Sequence, residues 1–364
     1  VLLIVCVLAV GVVSADTVTV SNFGELESNI TNAPSDRTII VAGNFSIIRQ
    51  LPIDSGKNIT LTTDEADHTL SRNSGGYLFT VNSGGNLTIT GNSTHDTNLT
   101  LDGMKQSPSD SLVLVNGGSF TLADGGILTN NTASSISGYG TYCGGVYVGY
   151  GTFTMTGGEI SCNTGNLGGG VYVHSGTFTM SGGTISENTA SSYGGGVYVN
   201  SGTFEMSGDA VISCNTAENS AGGVYVVSSG EFTMLGGTIS CNKASGTGGG
   251  VFVYNYGTFT MSGGTISENT AENSAGGVFV VSSGEFTMSG GTISENTATS
   301  GNGDGVYVDS SGTFKLSGSG STDSVYLTSG KSITVTGELT GTGAQVRGIE
   351  FAVLDDGTTV VTGT

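Results

Sequence analysis

The sequence predicts an all-β fold, a parallel β-helix with three strands per rung, and three observations predict it. The first is self-similarity. Gly-Gly-Gly-Val-Tyr-Val, Gly-Thr-Phe-Thr-Met-Ser-Gly-Gly and Thr-Ile-Ser-Glu-Asn-Thr-Ala recur in that order through the middle of the chain. The first valine of each copy falls at Val146, Val171, Val197, Val224, Val251, Val278 and Val306, at intervals of 25 to 28 residues. Such a period marks a repeat architecture whose units bury their apolar faces by stacking on one another. The second observation is the alternation inside each copy. Val197 and Val199 flank Tyr198, and Phe204 and Met206 flank Glu205, so apolar residues at i and i+2 put one strand face inward. The third is brevity. A propeller blade needs about 40–45 residues and four strands, and a collagen reading fails on 3 Pro against 64 Gly.

Each unit reads as three short strands, with Gly, Ser and Asn supplying the turns. The slot after the second valine varies (His174, Asn200, Val227, Tyr254, Val281, Asp309) and belongs outside. The valines, Phe204 and Met206 then face in, and Thr203, Glu205 and Glu231 face out. Asn130, Asn163, Asn188, Asn215, Asn242, Asn269 and Asn296 form a further column, expected to hydrogen-bond up the stack.

Residues 1–15 are apolar and end in Val13-Ser14-Ala15, the pattern of a cleaved secretory signal peptide and too short for a membrane span. The mature chain is expected to carry no membrane span. Residues 16–364 read as one β-helical domain: irregular rungs and a cap over 16–140, regular repeats over 141–318, and terminal rungs with a cap over 319–364. Ser21-Asn22-Phe23-Gly24-Glu25 resembles a capping box, and Phe23, Leu26 and Ile30 sit at helical spacing, predicting a short helix that plugs the open end. Irregular strands are expected around 38–41, 59–62, 78–81, 87–90, 99–101, 112–115 and 120–122, then at 325–327, 333–335 and 350–354.

The formal net charge is −20, and no arginine lies between Arg72 and Arg347. That argues against nucleic acid as a partner, since phosphate binding needs Lys/Arg clusters. Glu268 and Glu295 share one slot in neighbouring rungs, where like charges repel unless screened or bridged by a cation such as Ca²⁺. Cys162, Cys214 and Cys241 share that slot too. Cys214 and Cys241 stand one strand spacing apart, which in an oxidising compartment predicts a disulfide. Cys143 is placed to meet Cys162 across the longer turn. No Cys-x-x-Cys or histidine partner is present, so neither a metal ion nor a cofactor is expected. Sequons at Asn29, Asn44, Asn58, Asn86, Asn92, Asn98 and Asn130 offer glycosylation sites in the first third.

Between the paired valines runs an outward aromatic column: Tyr147, Tyr172, Tyr198, Tyr225, Phe252, Phe279 and Tyr307. Contiguous exposed apolar surface marks interaction sites, so this strip is the candidate binding surface for sugar rings or a protein, weighed against ordinary cross-strand pairing. Thr-X-Thr pairs on the next strand resemble the ice-binding face of some antifreeze β-helices, although Glu205, Glu231, Glu285 and Lys315 interrupt them. Catalytic residues are not found. His68, His95 and His174 have no nucleophile constellation, and the one Asp pair is Asp355-Asp356. A glycosidase needs two carboxylates facing each other across a groove.

Ile-Ser-Glu-Asn at 185–188 followed by Gly-Gly-Val-Tyr at 195–198 resembles the paired Phe-x-x-Asn and Gly-Gly-Ala-Ile/Leu/Val repeats of chlamydial polymorphic outer membrane proteins. It looks still more like the Gly-Thr-Phe-Thr-Met-Ser-Gly-Gly-Thr-Ile-Ser repeats of large adhesin-like surface proteins of gut bacteria and methanogens. The resemblance covers residues 113–340. It implies a right-handed β-helix of the pectin-lyase-like superfamily, displayed at the cell surface and used in adhesion. The clustered catalytic Asp and Arg of the pectin-degrading members have no counterpart in this sequence. The expectation is therefore a non-catalytic, extracellular or cell-surface adhesin-like protein whose partner is a polysaccharide or cell-surface glycoprotein. The alternatives are a polysaccharide lyase or glycoside hydrolase, and a purely structural spacer.

Overall fold

A computed structural model describes residues 16–107, 109–134, 143–340, 346–351 and 361–363. The predicted signal peptide and Asp355-Asp356 lie outside them, as does part of the expected strand at 350–354. The chain winds as a right-handed parallel β-helix. Equivalent residues pair in register from turn to turn: Val197 with Val171 and Val224, Phe204 with Phe178 and Phe232, Ile212 with Ile185 and Ile239. Three long columns result, carrying the Val-X-Val, Phe-X-Met and Ile segments.

Inside, these residues are fully buried and form one continuous core. The phenylalanines from Phe120 to Phe314 stack ring on ring, with centroids 4.6 to 5.0 Å apart and planes within 13° of parallel. The strand spacing of about 4.8 Å sets that distance, which suits offset stacking.

The structure adds a fourth strand to the expected three. After each Ile strand one residue turns left-handed: Cys162, Glu187, Cys214, Cys241, Glu268 and Glu295 have φ between 55° and 58°. A buried asparagine and a strand of two to five residues follow, such as Thr216–Ala217, which pairs with Lys243–Ala244. This corner also corrects the asparagine column. Its first member is the buried Asn131, whereas Asn130 takes the left-handed position (φ 56°). From Asn131 upward, each member's backbone N–H donates to the next member's Oδ1 at 3.0 Å. Each Nδ2 from Asn163 to Asn269 donates both to that Oδ1 and to a carbonyl one turn below, as Asn215 does to Asn242 and to Ile185. The buried amides are thereby satisfied without water.

The irregular rungs contain the expected strands, with 112–115 and 120–122 fused into Val113–Leu122. They also contain Asp16–Val20, Phe45–Ile47, Leu51–Ile53 and His68–Arg72, too short or too polar to stand out in the sequence. The predicted helix is present as α1 (Phe23–Thr31). Asn22 Oδ1 caps Glu25 N at 3.0 Å, and the Glu25 carboxylate accepts from Ser21 N at 2.8 Å. These contacts hold Glu25 below the usual carboxylate range. Leu26 and Ile30 join the solenoid core and close that end. Among the sequon asparagines, Asn44, Asn58 and Asn86 are exposed. Asn29 is tied to Arg37, and Asn92 to the carbonyls of Thr63 and Asp64.

Candidate functional site

The outer face of the Val-X-Val sheet is where the sequence placed binding residues. Alternation sends the aromatics outward, as predicted, but they do not form an open strip. Tyr172, Tyr225 and Phe252 are only 3%, 6% and 8% exposed. Successive rings from Tyr147 to Tyr307 lie 4.9 to 5.2 Å apart and within 32° of parallel. Each ring face therefore covers a neighbouring ring, and the column presents ring edges to solvent. A sugar stacks on an aromatic face, and within the column Tyr172, Tyr198, Tyr225, Phe252 and Phe279 offer edges in place of the faces expected of them. They are instead a second apolar layer outside the solenoid, packed with Ala221, Val227, Tyr193 and Val281.

The turn beside this layer needs glycine. Gly194 has φ +69°, and a Cβ there would lie 2.6 Å from the Val197 carbonyl oxygen and 3.1 Å from Tyr198 Cβ. Burial pushes the phenols of Tyr172 and Tyr225 far above their ordinary value and that of Tyr198 up to about 12.

The strongly exposed aromatics among the described residues are Tyr150, Tyr254 and Tyr256, which are 60%, 38% and 65% exposed. All three stand on the corner joining the Val-X-Val and Phe-X-Met sheets. Tyr150 lies between Val148 and Thr152. Tyr254 and Tyr256 lie between Val253 and Thr258. The two places are four turns apart through the pairings Val148–Val173–Val199–Val226–Val253. His174 and Asn200 occupy the corner between them. Asn200 Nδ2 donates to His174 Nδ1 at 3.2 Å, and Tyr150 meets the imidazole edge-to-face at 6.4 Å. The sequence contained the signal: Gly-Tyr-Gly at 149–151 and Tyr-Asn-Tyr-Gly at 254–257 replace Val-Ser-Ser-Gly at 227–230 and 281–284.

The left-handed corner column holds the cysteines. Cys214 and Cys241 occupy equivalent, exposed positions on adjacent turns, as the register predicted, and both are free thiols. Cys241 Sγ donates to Glu268 Oε2 at 3.5 Å, and desolvation followed by that carboxylate raises its pKa. Cys143 does not meet Cys162. It is buried, its Sγ donates to the Val146 carbonyl at 3.1 Å, and burial pushes its thiol up to about 12. Cys162 Sγ faces Glu187 at 3.4 Å. Among the described residues, no group of three His, Cys, Asp or Glu could hold a metal ion, and no helix is long and apolar enough to cross a membrane.

Residues 178–340 match the family model described as a right handed beta helix region. No curated protein and no solved structure matches the chain. The match and the geometry together define a β-helix protein.

Proposed function

We propose that this protein is a secreted or surface-displayed, adhesin-like β-helix that binds glycans or glycoproteins without turning them over. β-helices serve adhesins, lyases and hydrolases alike, so the reading has to rest on the surface and not on the fold. One observation carries it. In a chain of net charge −20, the outer face of the Val-X-Val sheet bears no carboxylate on its aromatic column or on the slots from Gly149 to Val281. Aromatic enrichment with charge depletion characterises the centre of recognition surfaces. The signal-like segment and the resemblance to adhesin repeats support the location.

The test incubates the purified chain with acidic and neutral polysaccharides and with microbial and host cells, assaying retention and new reducing ends together. Retention without new reducing ends is the expected outcome. New reducing ends, absent after heat inactivation, overturn the non-catalytic reading.

A further inference from the structure

The exposed tyrosines need an explanation that folding does not supply. Asn255 and Tyr256 are the central residues of a tight turn closed by Gly257 N donating to the Tyr254 carbonyl at 3.0 Å. Both have positive φ, 48° and 65°. Ser228-Ser229 and Ser282-Ser283 occupy the same turn with nearly the same angles. A bulky residue with positive φ is an outlier costing roughly 1–2 kcal/mol. Tyr256 recovers little of that through burial, being 65% exposed. Strain kept at an exposed position is a mark of a functional site.

We propose that the corner from Tyr150 to Tyr256 is a binding site for a neutral, linear polysaccharide lying parallel to the solenoid axis. The inference rests on the adhesin-like reading and moves the contact from the stacked column to this edge. Four turns separate Tyr150 from Tyr254 and Tyr256, a span of ~19 Å at the usual strand spacing. A short run of sugar units fills that distance. The aromatic rings at its two ends lie outside the stack, where they can pack on sugar rings. Between them stand hydroxyl-recognising groups: His174, the Asn200 amide, Ser201 and the exposed carboxylate of Glu231. The stretch contains no lysine or arginine, and the whole molecule is strongly anionic, so an acidic polymer would meet only repulsion.

The experiment is affinity electrophoresis of the full chain in gels containing linear β-glucan, mannan or galactan, with polygalacturonate as the acidic comparison. Three variants are run alongside: Tyr150→Ser, Tyr256→Ser and, in the irregular rungs away from the edge, Ile48→Ser at an exposed position. Tyr256→Ser puts serine where Ser229 and Ser283 stand in the neighbouring rungs, so its fold is secure. Retardation by at least one neutral polymer, weakened roughly tenfold by either edge substitution and unchanged in Ile48→Ser, is expected. Retardation that the Tyr150→Ser/Tyr256→Ser double variant retains in full overturns the site while leaving the adhesin-like reading standing. Retardation by polygalacturonate alone overturns the neutral class. No retardation by any polymer overturns the proposal, and the cell-binding assay then decides whether the broader reading falls with it.

Discussion

The irregular rungs and the regular repeats face the same problem at the corner after the Ile strand, and they solve it differently. Each sharp corner leaves carbonyls pointing into a dry interior. In the irregular part, Arg72 turns inward, 3% exposed, and its guanidinium donates to the carbonyls of Ser74, Gly76, Asp110 and Ser111. In the repeats the asparagine column does this work, one amide per turn. Asn131 joins the two regimes, since its Nδ2 and Arg72 both donate to the Asp110 carbonyl. A cation serves several carbonyls once, at a desolvation cost that lowers its pKa. An amide, with donors and acceptors on one group, can be copied indefinitely. The difference teaches that repetition requires a polar group that satisfies its own copy.

The comparison breaks most visibly at Asn215. Asn215→Ala strands the N–H of Asn188 in the interior, takes one of the two acceptors from Asn188 Nδ2 and removes the side-chain donor to the Ile185 carbonyl. A loss of about 3–5 kcal/mol is expected, at 1–3 kcal/mol for each unsatisfied group. Urea unfolding measures it, and hydrogen exchange should show the protection loss centred on the turns around Asn188 and Asn215. Arg72→Met orphans carbonyls too, but it also removes a buried charge, so about 1–3 kcal/mol is expected from the same urea titration. A larger loss than for Asn215→Ala would reverse the ranking of the two solutions.

Alkaline titration sharpens the contrast between the regions. Tyr198 is raised from an ordinary value of 10.0 to about 12, and its stacked neighbours are raised as well. The folded state thus holds protons that the unfolded state releases. The associated stability is complete below pH 10 and falls as pH rises through about 12. The repeats should therefore loosen before the rungs around α1, followed by near-ultraviolet absorbance of tyrosinate and by circular dichroism. Tyr198→Phe should diminish the dependence. The smallest effect is expected at Glu187, left-handed with φ 56°. Glu187→Gly relieves that strain and should raise the thermal midpoint, by about 0.5–1 kcal/mol of stability.

The fold was legible because stacking demands that identical residues recur on identical beats, so Val, Phe and Ile announced all three columns. Register was legible for the same reason. The finer features depend on which way a single residue turns. Asn130 and Asn131 are adjacent asparagines, and only the left-handed twist at the first sends the second inside. The outward direction of the tyrosines followed from alternation, but whether their faces or edges meet solvent depends on side-chain rotation, to which alternation is blind. Nothing in the sequence marks Arg72 for burial, because that burial rests on backbone carbonyls from a segment almost 40 positions away.

The asparagine column also has a direction. Between its members, every bond runs from an earlier asparagine's N–H to the next member's Oδ1, so these bond dipoles add along the axis as in a polarised wire. Such a wire can be lengthened or shortened by whole turns without leaving an open contact. Duplication or deletion of one repeat in the gene would thus yield a foldable product, and the protein's reach becomes a quantity that inheritance can adjust in steps of one strand spacing.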